Sequence, residues 1–184
     1  MGIIVIILWC EVGRSGAFRH SNPTKKHLIF KKTRLNKKMF LGEYQRSLDN
    51  KGRIFIPSKF KDNLSKNIAV ISKGYDEKCL FLYSMESWQD LVKRIAVLPV
   101  TKNSQEFSRW FFKSAQEEVL DGQGRLKIEK NLIEFSGLNK DIVLVGVSTR
   151  AEIWSSEAWE TYSKSSDEKF SGNDKAFESI GFQL

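Results

Sequence analysis

The segment from Leu48 to Pro57, LDNKGRIFIP, returns 72 positions later as LDGQGRLKIE, from Leu120 to Glu129. Under that shift Asp49 matches Asp121, Gly52 matches Gly124, Arg53 matches Arg125 and Ile56 matches Ile128. The surroundings repeat too. NIAVIS from Asn67 aligns with DIVLVG from Asp141 at a shift of 74, and LYSMESW ending at Trp88 aligns with IWSSEAW ending at Trp159 at a shift of 71. Small drifts of this kind arise when loops differ in length while the elements between them are kept, so the chain holds two copies of one unit. Neither copy has enough strand to be stable alone, and the two sheets are expected to merge into one barrel-like core about a pseudo-two-fold axis.

Each copy reads as an extended arm, an Asp-x-x-Gly-Arg turn and a short alternating strand, with Ile54 and Ile56 on one face and Phe55 on the other. A short helix follows, and Pro57 suits its first turn in copy one. Two apolar strands come next, IAVIS and CLFLY in the first copy and DIVLVGV and AEIWS in the second. A closing helix begins near a Ser and carries Trp88, Leu91, Val92 and Ile95 on one face, or Trp159 and Tyr162 in the second copy. The fold class is therefore α+β, a duplicated β core with flanking helices. The expected boundaries are a basic leader (1–38), a first repeat (39–96), a linker helix (97–113), a second repeat (114–162) and a polar, frayed tail (163–184). In the linker, Phe107, Trp110, Phe111 and Ser114 recur at helical spacing and are expected to pack inward, leaving Phe112 for a subunit contact.

The formal charge is +8, but its location matters more than its size. Residues 1–38 hold nine Lys or Arg and one acidic residue, whereas residues 39–184 hold 21 of each sign. A neutral body cannot bind a polyanion through bulk charge and must place particular cations. Two cysteines, Cys10 and Cys79, make neither a disulfide framework nor a metal site, and a reducing, cytoplasmic setting is expected. Cys79 reads as a core thiol. Both histidines, His20 and His27, lie in the leader, so the body has no imidazole for nucleophilic catalysis or metal ligation, and no cofactor is expected. The leader's apolar run GIIVIILWC has nine residues, far short of the roughly 20 needed to span a bilayer. Because the patterned sequence begins abruptly at Met39, translation is expected to start there.

An Asp at the head of a tight turn accepts backbone N–H groups two or more residues on, and the Gly supplies the positive φ that the reversal needs. The following Arg then emerges at the rim of the strand. In isolation this is a well-formed turn with a surface ion pair. Two copies about a dyad, however, present two planar five-donor forks from one core. Such a fork fits the O6 and N7 atoms of guanine, and a carboxylate behind it would fix its plane. The candidate DNA-binding residues are thus Arg53 and Arg125, with Lys51 and Arg46 for phosphates and Lys127 assisting the second copy. Asp49, Gly52, Asp121 and Gly124 orient the loops. A duplicated Asp also raises an aspartic hydrolase, whose dyad needs close, desolvated carboxyls sharing a proton. The neighbours Asn50, Lys51, Gly122 and Gln123 suit an open turn instead, and no catalysis is expected.

With MFLGEYQRSLDNKGRIFIPSKF, the doubled Asp-x-x-x-Arg signature, FSRWFF and the paired ESW and EAW, the stretch from Met39 to about Tyr162 resembles the MraZ family of bacterial regulators. That family is related in fold to AbrB-like swapped-hairpin DNA-binding domains. The resemblance implies a transcriptional regulator of the division and cell-wall gene cluster, cytoplasmic and nucleoid-associated. It would bind G-rich direct repeats in double-stranded promoter DNA as a homo-oligomeric ring, with the signature loops, and hence Asp49, Arg53, Asp121 and Arg125, facing the duplex. Glu129 departs from the family by standing where Pro follows the second strand, which is expected to put an acid near Arg125. Outside DNA binding, the alternative is an antitoxin-like or scaffold module whose Arg forks grip a protein partner's carboxylates.

Overall fold

Strand alternation sets the architecture. A computed structural model of the chain describes residues 39–75 and 78–181; the leader, with Cys10, both histidines and the expected start at Met39, lies at or beyond the edge of the described residues. The first copy supplies β1 (Phe40–Ser47), β2 (Arg53–Phe55), the short α1 (Ser58–Lys61), β3 (Ile68–Lys73), β4 (Leu80–Ser84) and α2 (Met85–Ala96). After α3 (Lys102–Phe112) the second copy repeats the order as β5 (Gln116–Val119), β6 (Arg125–Lys127), α4 (Lys130–Ser136), β7 (Asp141–Ser148), β8 (Arg150–Ser155) and α5 (Ser156–Phe170).

Six strands form one sheet in the order β1-β7-β8-β4-β3-β5, and β2 and β6 form a separate two-stranded ribbon. All pairings are antiparallel. The order reads the same from both ends when each strand is exchanged for its counterpart, so the duplication is a geometric symmetry. At the centre of the sheet Phe81 faces Glu152, its own counterpart at the shift of 71. At the centre of the ribbon Ile54 faces Leu126, its counterpart at the shift of 72. The pseudo-dyad passes through both pairs. The first strand of each copy pairs with the third strand of the other, β1 with β7 and β5 with β3, so neither copy completes its sheet alone.

The apolar residues divide between the two faces of the sheet. One core holds Phe40, Ile71, Leu82, Ile142 and Ile153 from the sheet, Ile54, Ile56, Leu126 and Ile128 from the ribbon, and Phe60 and Leu132 from α1 and α4. Phe60 stands edge-on to Phe40 at 5.2 Å and to Tyr44 at 5.0 Å, the geometry that the ring quadrupole favours. On the other face Val70, the fully buried Cys79, Phe81, Tyr83 and Trp154 are covered by Trp88 and Leu91 of α2 and by Trp159 of α5. Ser84 and Ser155 cap α2 and α5, accepting the Ser87 and Ala158 backbone N–H groups at 3.2 and 3.3 Å.

Three expectations are revised. No pairing joins the edge strands β1 and β5 among the described residues, so the core is an open sheet closed over by a ribbon and is not a closed barrel. In α3 only Phe111 is buried, stacked on Trp88 at 5.5 Å; Phe107 stays exposed against expectation, whereas Phe112 is exposed as expected. The segment after Ser163 is helical: α5 runs to Phe170, and α6 (Asp174–Ser179) follows with Phe177 against Phe170 at 5.7 Å. Those two aromatics hold α6 against α5.

Candidate nucleic-acid interface

The ribbon carries the two signature turns, one at each end. In the first, Asp49 Oδ1 accepts the backbone N–H groups of Lys51 at 2.8 Å and Arg53 at 2.9 Å. Its Oδ2 accepts Arg53 Nε at 2.8 Å and Nη2 at 2.6 Å. Main-chain bonds from Asp49 N to Arg53 O and from Gly52 N to Asp49 O, both 2.9 Å, close the loop. The second turn repeats this atom for atom. Asp121 Oδ1 takes the N–H groups of Gln123 and Arg125 at 2.9 Å, and its Oδ2 takes Arg125 Nε and Nη2 at 2.7 Å. One carboxylate oxygen thus holds the loop and the other holds the guanidinium plane. This leaves the Nη1 edge of each Arg unpartnered among the described residues.

The strength of this ion pair shows in the carboxyls. Asp49 is lowered from 3.8 to about 2, chiefly by the hydrogen bond from the Arg53 side chain; partial burial opposes this, and the N–H groups of Arg53 and Lys51 add to it. Asp121 is likewise lowered to about 2, first by the Arg125 side chain and then by the Arg125 N–H. Both stay ionised near neutrality, each saturated by its own loop. An aspartic dyad needs one carboxyl raised by a shared proton, and neither Asp is in that state.

Gly52 and Gly124 sit at φ +72° and +77°, where L side chains are strained. Their surroundings differ: Gly52 lies against the Ile128 carbonyl oxygen and Ile133, whereas Gly124 lies against the ammonium end of Lys61. The main chains interlock here, Ile128 N donating to Gly52 O at 2.7 Å and Ile56 N to Gly124 O at 3.2 Å.

With Ile54 and Leu126 fully buried, the outer face of the ribbon presents Arg53 opposite Lys127 and Phe55 opposite Arg125. Phe55 is 50% exposed, and the Arg125 guanidinium lies 5.7 Å from its ring centre. The register places Lys127 directly opposite Arg53 of the first turn, and it corrects one expectation. Glu129 does not approach Arg125; its carboxylate pairs with Lys127 at 2.7 Å. Arg46 lies on β1 opposite Ile142, donating to the neighbouring Gln45 carbonyl at 2.7 Å and lying over Tyr44. Lys51 is exposed at the tip of its turn. Phe55 and Lys61 are the residues that sequence reasoning missed as neighbours of the second turn, because only the tertiary pairing brings them there.

Among the described residues, no group of His, Cys, Asp and Glu is placed to hold a metal ion, and no helix is long and apolar enough to cross a membrane.

Residues 39–108 and 111–178 each match the sequence profile of the family described as "MraZ protein, putative antitoxin-like". The chain is 48% identical over 126 residues to "Transcriptional regulator MraZ" of Acetivibrio thermocellus, spanning 68% of this chain and 87% of that protein. It is 47% identical over 129 residues to the protein of the same name from Clostridium acetobutylicum, spanning 70% and 89%. It is 44% identical over 133 residues to that of Caldanaerobacter subterraneus subsp. tengcongensis, spanning 72% and 92%.

Proposed function

The chain belongs to the MraZ family, and from that premise we propose that it is a regulator of transcription that binds double-stranded DNA sequence-specifically through its two Asp-x-x-x-Arg turns. The observation carrying this reading is the matched pair of forks at the ends of one ribbon. Each guanidinium is held in plane by a carboxylate, with its Nη1 edge unpartnered among the described residues. That edge suits bidentate contact with O6 and N7 of guanine in the major groove. Asp49, Gly52, Asp121 and Gly124 orient the forks, and Lys51 and Arg46 are assigned to phosphates. The functional units are the first repeat (39–96) and the second (114–162), joined through the helix in 97–113, and their exchange of first strands is in keeping with an AbrB-like swapped-hairpin core.

The body is electrically neutral, so affinity per subunit is low. A homo-oligomeric ring that presents the turns several times to direct repeats gains by effective concentration. Val97, Leu98 and Val100, exposed between α2 and α3, and Phe112 at the end of α3 form the apolar strip we assign to the ring contact. Boxes read from one side of the duplex then recur at about 10 to 10.5 base pairs. The targets are G-rich repeats ahead of the protein's own division and cell-wall operon, and the protein acts in the cytoplasm on the nucleoid.

A gel shift with the region upstream of its own reading frame tests this. Retarded bands are expected, and Arg53→Ala should cost about 1 to 3 kcal/mol per lost base contact and relax selectivity at that base. Equal affinity for the upstream region and an unrelated duplex of the same length overturns the reading and favours the antitoxin-like or scaffold alternative.

A further inference from the structure

We propose that Lys61 is a phosphate-contacting residue of the second turn, supplying from the first copy the cation that the second copy lacks; this rests on the DNA-binding reading above. The duplication allows the two turns to be compared position by position. At the tip of the first stands Lys51, and its counterpart in the second is the neutral Gln123. On that ground alone the second turn would present an Asp–Arg pair of no net charge. The fold makes up the difference across the dyad. Phe60 buries fully and fixes α1 so that Lys61 reaches the second turn, with its ammonium against Gly124. The counterpart of Lys61 is Ile133, whose Cδ1 lies 3.2 Å from where a Cβ added to Gly52 would stand, so the first turn receives a methyl group in the same place.

Lys61 makes no ion pair with a carboxylate among the described residues, in contrast to Lys127, which Glu129 neutralises at 2.7 Å. Among the described residues each turn therefore keeps one cation without a carboxylate partner, placed differently: at the tip of the first turn and on the flank of the second. A cation so placed at the end of a DNA-facing ribbon meets phosphate rather than a base edge, because the Arg fork occupies the inward position. The two turns then grip a duplex by different phosphates, and the pseudo-symmetric ribbon binds as an asymmetric reader.

The test uses the full chain and fluorescent duplexes carrying the region upstream of its own reading frame or a random sequence, titrated at several salt concentrations. Thermal melts confirm that each variant is folded. For Lys61→Ala, the slope of log affinity against log salt should fall by about one per engaged subunit, as for Lys51→Ala, with the preference for the upstream duplex retained. Lys61→Arg should keep the wild-type slope, and Gln123→Lys should restore it in Lys61→Ala. A wild-type slope in Lys61→Ala, while Lys51→Ala and Arg53→Ala behave as expected, overturns this proposal alone. A loss of selectivity in Lys61→Ala also overturns it, since a phosphate contact carries no base information. Failure of the wild type to prefer the upstream duplex removes the DNA-binding reading and this proposal with it.

Discussion

Arg53 Nη2 lies 2.6 Å from Asp49 Oδ2, and Arg53 Nε lies 2.8 Å from the same oxygen, so a single atom holds one whole edge of the guanidinium. A Lys in that position offers a point charge and no second donor in plane. Arg53→Lys or Arg125→Lys should preserve the fold and the salt dependence of duplex binding while losing roughly tenfold or more in selectivity, the scale of one bidentate base contact. Competition titrations with single-base variants of the bound duplex read this out.

The carboxyls set an acid limit. Asp49 and Asp121 titrate at about 2 in the folded chain against an ordinary value of 3.8. A carboxyl depressed by folding stabilises the native state fully above its unfolded value and loses that contribution as pH falls toward the folded one. Stability should therefore drop between about pH 4 and pH 2. Asp49→Asn with Asp121→Asn should be less stable than wild type near neutrality, and the gap should narrow at the acid end. Denaturant midpoints measured across that window check the sign.

Gly52 and Gly124 share a positive φ but not a neighbourhood. A methyl on Gly52 would meet the Ile128 carbonyl oxygen at 2.8 Å, a backbone atom that cannot yield, whereas on Gly124 it would meet only the movable end of Lys61. Both Ala variants carry about 1 kcal/mol or more of left-handed strain. Gly52→Ala should cost clearly more than Gly124→Ala in equilibrium unfolding; equal costs would mean that the ribbon is not interlocked as described.

Ile54 and Leu126 face each other on the dyad with no exposure. Truncating either to Ala should cost about 2 to 5 kcal/mol, the range for a buried aliphatic side chain. Because they touch, the double variant should depart from additivity. Urea titrations of the two singles and the double give that coupling.

The local chemistry was legible in the sequence because it closes within five residues. Asp at the first position of the turn, Gly at the fourth and Arg at the fifth are enough for the fork, and the repeat at 72 announces a second fork and a dyad. Periodicity likewise marked Ile54 and Ile56 as core and Phe55 as outward, and burial follows that alternation. The neighbours of each fork could not be read this way. Lys127 falls beside Arg53, Phe55 beside Arg125 and Lys61 beside Gly124 only because β2 pairs β6 in one register.

That register is chosen by the burial of Ile54, Leu126, Ile56 and Ile128, and a slip of one residue would turn the two on the slipping strand to solvent. The same holds for the barrel-like core that was expected: two copies of four short strands are compatible with a closed barrel or with an open sheet capped by a ribbon. What separates the two is that β1 and β5 stay unpaired with each other among the described residues while Phe40, Phe60 and Leu132 fill the space beneath the sheet. By itself the sequence determined the unit, its duplication and the fork. The tertiary structure decided which cation attends which fork, because side chains some 70 residues apart meet only where the shared core brings their backbones together.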